Sequence, residues 1–218
     1  MTTTVLPRTA ESQPSGLGGI RLSVTIVLAA WFLLVVSLGS IGAFIARPGA
    51  PPIPIAIGFG APLAIFFAGL RLSPAFRDFV LSLDLRLIAG LQAWRFVGLG
   101  FLALYAHNVL PAVFALPAGL GDMAIGIAAP WMILGLVDKP AFAASTAFRR
   151  WNVLGILDLI VAVGIGTLSG LLAAGAPGEI TTAPMQTLPL LLIPAFLVPL
   201  FLILHTAALM QSRRIARS

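Results

Sequence analysis

The amino-acid sequence predicts an all-α integral membrane protein, a bundle of six transmembrane helices with both termini in the cytoplasm. The chain has 218 residues, of which 59% are hydrophobic and only 9% are charged, and its mean hydropathy is +1.06. A soluble domain carries about a quarter charged residues. This chain therefore has too little polar surface to cover a water-soluble globule. The other two observations are six long apolar segments and an uneven distribution of basic residues.

Each apolar segment is long enough for a transmembrane helix, which needs about 20 mostly apolar residues. The six predicted spans cover roughly residues 22–46, 53–70, 89–110, 112–136, 151–173 and 186–210. The first is too long for the core of a signal peptide, so we predict a retained helix. Residues 1–20 are polar and small, which favours a disordered cytoplasmic N-terminus. The transmembrane domain then covers residues 21–212, and residues 213–218 form a basic cytoplasmic tail.

A short amphipathic helix is predicted before the third span, within Ser73 to Ile88. Ser73 is a suitable N-cap, and Pro74 fits the first helical position. One face of this segment is apolar, and the opposite face carries Arg77, Asp78 and Asp84. The pattern is typical of a helix lying at the membrane interface, or of a cytoplasmic extension of the third span.

The basic residues predict the orientation. With the N-terminus inside, Arg47 alone lies outside and Arg95 lies within a span, while the cytoplasmic side receives Arg8, Arg21, Arg71, Arg77, Arg86, Lys139, Arg149, Arg150, Arg213, Arg214 and Arg217. This asymmetry is a strong positive-inside signal. It indicates a multi-pass protein of the plasma membrane, explains the net charge of +6 and argues against nucleic-acid binding. The lipid bilayer is the expected partner, and a homo-oligomer or a membrane partner stays open.

The composition excludes several kinds of chemistry. The chain has no cysteine and only two histidines, so disulfides, thiolate metal sites and cysteine nucleophiles are excluded, and we predict no metal site and no cofactor. A haem held by two histidines needs both at one depth. His107 lies near the outer end of the third span and His205 near the inner end of the sixth, so these two are not expected to meet.

Four polar residues are predicted to lie in the inner third of the bundle. Counting from the span boundaries puts Arg95 and Asp158 at a depth of ~10 Å and His205 at ~8 Å. Gln92 shares the face of Arg95. A charge at this depth costs about 2.5–3.5 kcal/mol, so Arg95 needs an acceptor, and Asp158 is the expected ion-pair partner. The alternatives are that Arg95 snorkels to the surface, that the pair is a structural clamp, or that it forms a solute or ion site.

Asp122 is predicted near the membrane midplane, at ~15 Å, with no basic residue at its depth. Pro117, Gly119 and Gly121 precede it and weaken a helix, so we expect a broken helix at this point. A broken span exposes backbone groups and typically lines a protein-walled or wet cavity. The alternative is that Asp122 stays protonated on a neighbouring carbonyl and that the glycines only permit close packing.

A repeated pattern links the third and fifth spans, Trp94-x-x-x-Gly98 and Trp151-x-x-x-Gly155. It indicates either duplicated helical hairpins or a chance match in a biased composition. The sixth span has three prolines at intervals of five, Pro189, Pro194 and Pro199, and each frees a backbone carbonyl one turn earlier.

The stretch Gly119-Leu120-Gly121-Asp122 resembles the Gly-x-Gly-Asp motif of intramembrane aspartyl proteases, a family that includes presenilin-like and prepilin peptidases. The resemblance implies a catalytic role for Asp122, with Asp158 as its partner in a carboxylate dyad. It covers four residues. The sequence departs from the family because Asp158 follows the motif, and because Pro194-Ala195-Phe196 stands nearest to the family's Pro-Ala-Leu.

The leading functional hypothesis is a small permease or a proton- or ion-linked carrier for a small molecule or ion. Its pathway would be formed by Gln92, Arg95, Asp122, Asp158 and His205, because ionisable residues beside a broken helix are typical of midplane transport sites. In this hypothesis Arg95 holds an anionic group or tunes Asp158. The alternative is a non-catalytic membrane subunit or scaffold whose buried polar residues only lock helices together, and the intramembrane protease is a further alternative.

Overall fold

A computed structural model describes residues 15–47, 50–173 and 176–217, and this part of the chain is helical with no strands. The α-helices are α1 (Ser15–Ser40), α2 (Ile53–Leu72), α3 (Pro74–Leu81), α4 (Leu85–Gln92), α5 (Leu99–Ala106), α6 (Ala112–Asp138), α7 (Thr146–Leu172) and α8 (Val198–Ile215). Helix α1 takes in the last six residues of the segment predicted as a disordered N-terminus. Residues 1–14 of that segment lie outside the described residues.

Six helical stretches of the described chain are long and apolar enough to cross a membrane. They are Gly18–Ser40, Ile53–Leu72, Leu85–Ala106, Ala112–Asp138, Thr146–Leu172 and Ile193–Ile215. The number and order agree with the sequence prediction. The predicted amphipathic helix is α3, in which Ser73 accepts a hydrogen bond from the backbone N–H of Phe76 and Pro74 is the first helical residue.

The third and fifth spans begin four to five residues earlier than predicted, because each has an N-cap outside the apolar segment. Asp84 caps α4 by accepting from the N–H of Arg86 at 2.8 Å, and Ser145 caps α7 by accepting from the N–H of Phe148 at 3.1 Å. The Arg86 side chain also bonds Asp84 and holds the pKa of this carboxyl below its usual range. A cap of this kind satisfies orphan N–H groups in the first turn. In both helices the polar residues therefore lie farther from the start of the helix than the predicted span boundaries indicated.

The predicted helix break before Asp122 is wrong. Helix α6 runs without interruption from Ala112 to Asp138 and includes Pro117, Gly119 and Gly121. Pro117 removes one backbone N–H, which an otherwise continuous membrane-type helix tolerates. The glycines allow close packing: a Cβ at Gly119 would lie 2.9 Å from the carbonyl oxygen of Gly98. The alternative interpretation of the glycines, as sites of close helix contact, is the correct one.

Non-α backbone occurs instead in the third and sixth spans. Residues Ala93–Gly98 form a 3₁₀ turn between α4 and α5, and Ile193–Leu197 form a π-helical turn that leads into α8. Pro199 has no N–H to donate to the carbonyl of Ala195. The indole of Trp31 donates to this carbonyl at 3.2 Å and ties α1 to the sixth span.

Helix α6 lies at the centre of the bundle, against the third span on one side and α7 on the other, and α8 packs on α7. At one end, α3, the α3–α4 link and the α6–α7 link meet the C-terminal part of α8. There Gln211 donates to the carbonyls of Val80 and Leu83, at 3.1 and 3.0 Å. At the opposite end, the α1–α2 and α7–α8 links meet, where Gln186 accepts from the N–H of Ala46 at 2.6 Å.

Candidate functional site: a buried arginine between two aspartates

Arg95 is the centre of a polar cluster, and its side chain has no exposed surface. Its Nε donates to Oδ1 of Asp122 at 2.7 Å, and its Nη2 donates to Oδ2 of Asp158. Its Nη1 donates to the carbonyl of Gly155 at 3.3 Å and lies 3.1 Å from Nε2 of His205. A guanidinium has five N–H groups, so these contacts account for four of them. Arg95 therefore does not snorkel to a surface.

The ion pair predicted between Arg95 and Asp158 is present, and the prediction that Asp122 has no basic partner is wrong. The depths predicted from the span boundaries, ~15 Å for Asp122 and ~10 Å for Asp158, had placed the two aspartates at different levels. Asp158 lies 12 residues beyond Thr146, where α7 begins, and Arg95 lies 10 residues beyond Leu85, where α4 begins. The capped starts of these helices move both residues to the level of Asp122, so one guanidinium reaches both carboxylates.

The cluster pairs one basic group with two acidic groups. One arginine (+1) and two ionised aspartates (−2) sum to −1. Each aspartate side chain is 17% exposed, whereas Arg95 is fully buried. A buried charge without compensation is costly, so this arrangement favours the uptake of one positive charge, as a proton or another cation.

His205 is a neutral imidazole in this network, with a defined tautomer. Arginine can only donate hydrogen bonds, so the Nε2 that faces Arg95 must be an acceptor. The ring proton is therefore on Nδ1, which donates to Oδ1 of Asn152 at 2.9 Å. The amide of Asn152 in turn donates to the carbonyl of Phe148 at 2.9 Å. This chain of hydrogen bonds is fully buried and fixes the side of Arg95 that faces away from the carboxylates.

Three glycines make room for the ionisable side chains. A Cβ at Gly98 would lie 2.5 Å from the Cβ of Asp122, a Cβ at Gly121 would overlap the carboxylate of Asp158, and a Cβ at Gly155 would overlap the imidazole of His205. In each case the polar side chain occupies the surface where the neighbouring helix lacks a side chain. The glycines of the helical repeat pattern, Gly98 and Gly155, thus both serve the cluster.

Gln92 is close to the cluster in sequence but does not belong to its network. Its side chain is fully buried, and its amide donates to the carbonyl of Phe201 at 3.3 Å, which joins the third and sixth spans. Its Oε1 has no hydrogen-bond partner among the described residues. Of the five residues predicted to form a pathway, the structure brings Arg95, Asp122, Asp158 and His205 into contact and leaves Gln92 outside.

A cavity of about 280 Å³ leads from the end of the bundle that carries Arg47 down to Asp122. Its deeper walls are apolar and come from α5, α6, α7 and the sixth span: Phe101, Phe114, Ala118, Leu159, Val163 and Val198. Its rim includes Arg47, Glu179, Thr181 and Gln186. Asp122 is the ionisable residue that joins the cavity to the buried cluster.

Asn152 and the apolar residues around the cavity were not predicted as site residues from the sequence, and Gly155 was predicted only as part of the repeated pattern. The spacing of Asn152, Gly155 and Asp158 is a usable signal, because each lies three residues from the next and residues three apart on a helix share a face. The cavity had no comparable signal, since its walls are ordinary apolar residues of four different segments.

The geometry does not favour the chemistry of an aspartyl protease. Such a dyad shares one proton between two carboxylates, whereas here each carboxylate is bound to Arg95. A haem ligand role for His205 is disfavoured as well, because Arg95 and Asn152 engage both ring nitrogens. His107 ends α5 on the exposed surface.

Comparison with known proteins identifies the family. No curated protein matches the chain, and no solved structure matches it. A family model described as a domain of unknown function, DUF8737, matches residues 52–213. This range includes Arg95, every residue that bonds it and most of the cavity wall. The chain belongs to the DUF8737 family.

Proposed function

We propose that this protein is a small carrier of the plasma membrane that couples the movement of a proton or another cation to the movement of a small solute. Insertion into a bilayer is supported by large apolar side chains that are more than half exposed on several helices, such as Leu22, Ile57, Val113 and Leu154. Surfaces of this kind mark contact with lipid or protein.

The distribution of basic residues supports an orientation with both termini in the cytoplasm. In the described chain, one end of the bundle carries Arg47, and the end with α3 and the C-terminus carries Arg21, Arg71, Arg77, Arg86, Lys139, Arg149, Arg150, Arg213, Arg214 and Arg217. The positive-inside rule puts this second end in the cytoplasm. The cavity then opens to the outside, and its floor is the charged cluster.

The single observation that carries the proposal is that two carboxyl groups share one guanidinium at the floor of the cavity. Asp122 is reached from the cavity and shares Arg95 with Asp158, so a cation that arrives through the cavity changes the ion pairs that hold three helices together. Coupling in a carrier requires a site whose occupancy alters helix contacts. Arg95 is engaged by four groups, which favours its role in tuning the aspartates over the binding of an anionic solute.

Transport by purified protein in liposomes tests this function. The vesicles contain a pH-sensitive dye and receive in turn small amines, amino acids, sugars and carboxylic acids. We expect one class to change the internal pH, and we expect Asp122→Asn to reduce the rate at least tenfold. Asp138→Asn, at the exposed end of the same helix, is the matched control and should retain the rate. Wild-type rates in both Asp122→Asn and Asp158→Asn would refute the proposal.

The alternative function, a scaffold subunit, is favoured by the number of hydrogen bonds that Arg95 makes. Because Arg95 binds two aspartates, the test of this alternative needs three substitutions, Arg95→Leu with Asp122→Asn and Asp158→Asn. A scaffold predicts that the triple variant folds and keeps the cellular role of the protein. A carrier predicts that it folds and loses transport.

A further inference from the structure

We infer that the cavity binds a small organic cation, a compact apolar body with one ammonium group, and that Asp122 receives this group. The inference rests on the proposed function, because it names the solute class of the same site. Three features of the cavity lead to it: the charge at its floor, the chemistry of its walls and its size.

The charge at the floor selects a cation. Arg95 satisfies Oδ1 of Asp122, and among the described residues Oδ2 has no hydrogen-bond partner. The carboxylate lines the cavity and keeps an exposed fraction of 17%. With both aspartates ionised the cluster has a formal charge of −1, so an anion would add repulsion and a neutral molecule would leave the charge unbalanced. The rim has one charge of each sign, Arg47 and Glu179, so the floor determines the preference.

The apolar walls of the cavity favour a ligand that has an apolar part beside its charged group. Phe101 and Phe114 line the cavity and pack edge to face, with ring centroids 5.5 Å apart. Phe101 is one turn beyond Gly98, the residue in contact with Asp122. Aromatic faces attract ammonium groups, and they do so more strongly when water is excluded. A carboxylate and two aromatic rings that line the same cavity therefore favour an organic ammonium group over a hydrated metal ion, which needs several oxygen ligands.

The size restricts the ligand to a small molecule. Pockets for drug-sized ligands measure about 300–1,000 Å³, and this cavity measures about 280 Å³. One ring or a short alkyl chain with an amine fits this volume, whereas a larger organic cation does not.

Calorimetric titration of the detergent-solubilised full chain with three matched probes tests the inference. Benzylamine is the cation, benzyl alcohol the neutral analogue and benzoate the anion. We expect benzylamine to bind at least tenfold more tightly than benzyl alcohol, with benzoate weakest. We expect Asp122→Asn to remove this preference and Asp138→Asn to preserve it. Equal binding of benzylamine and benzyl alcohol to the wild type, or an amine preference that survives Asp122→Asn, would overturn the inference.

A second variant keeps the test decisive if Asp122→Asn does not fold. Ala162→Phe fills the cavity one turn beyond Asp158 and leaves every ionisable residue in position. We expect it to reduce benzylamine binding at least tenfold. Undiminished binding by folded Ala162→Phe would show that the amine binds elsewhere and would overturn the inference.

Binding and transport fail independently, which separates this inference from the proposed function. If benzylamine does not bind but another solute drives pH changes that depend on Asp122, the inferred solute class is wrong and the proposed carrier function is supported. If benzylamine binds through Asp122 but no solute moves protons, the inferred binding site is supported and the proposed carrier function is wrong.

Discussion

The two sides of Arg95 differ in burial, charge and access. On one side, Asp122 and Asp158 are acidic and 17% exposed, and Asp122 lies at the floor of a cavity. On the other side, His205 and Asn152 are neutral and fully buried, and they form a closed chain of hydrogen bonds. The comparison indicates that one arginine joins two different groups of residues. The responsive half, Asp122 and Asp158, can change its charge, and the fixed half, His205 and Asn152, holds the guanidinium in place.

Removal of Arg95 tests whether both halves depend on this residue. Of the variants considered, it should have the largest effect on the free energy of unfolding. Arg95→Leu leaves two carboxylates inside the bundle without a cation. Breaking a buried ion pair from one side costs about 3–5 kcal/mol. We expect a loss of this size in the free energy of unfolding, measured in detergent by circular dichroism. Addition of Asp122→Asn and Asp158→Asn should recover most of it, and a stable single variant would show that the aspartates need no partner.

Gly155→Ala disturbs the fixed half alone. The new Cβ would overlap the imidazole of His205, which the Asn152 hydrogen bond holds in position. Overpacking of this kind costs about 1–3 kcal/mol, and we expect this loss in the same unfolding experiment. Gly164→Ala on the same helix is the matched control, since a Cβ there meets nothing within 4 Å, and it should not destabilise the protein. Equal stabilities of the two variants would contradict the close contact with His205.

Asp122→Asn should have the smallest effect on stability, although it should reduce the transport rate at least tenfold. The amide oxygen of asparagine still accepts from Nε of Arg95, and the formal charge of the cluster rises from −1 to 0. A neutral hydrogen bond differs from the original by about 1 kcal/mol, partly offset by the relief of excess charge. We expect a change in the free energy of unfolding below about 1 kcal/mol. A loss as large as that of Arg95→Leu would make Asp122 a structural residue.

The sequence was sufficient to predict the six apolar helices and the Arg95–Asp158 pair, because hydropathy and charge are local properties. It was insufficient for the depth of the polar residues, which depends on where helices begin, and here Asp84 and Ser145 extend two helices beyond their apolar segments. The contact with Asp122 was missed for this reason. The glycines before Asp122 are also ambiguous in sequence, since the same residues weaken an isolated helix and permit a tight contact in a bundle.

The cavity and the tautomer of His205 required coordinates. The cavity walls combine residues from segments far apart in the chain, and none of these residues is unusual by itself. The tautomer follows from the donor of Arg95 that faces Nε2, which no sequence pattern encodes. Gln92, by contrast, was predicted from the sequence as a pathway residue because it shares a helical face with Arg95. Its amide instead donates to the carbonyl of Phe201 in the sixth span.

Thiol labelling at the cavity floor tests the central claim, that an excess negative charge faces the cavity. The chain has no cysteine, so Ala162→Cys introduces a single thiol one turn beyond Asp158 without background labelling. Two methanethiosulfonate reagents of similar size, one with a quaternary ammonium and one with a sulfonate, are added to the protein in liposomes. We predict faster labelling by the cationic reagent, with the advantage lost when Asp122→Asn is added. Equal rates, or faster labelling by the anionic reagent, would contradict the account.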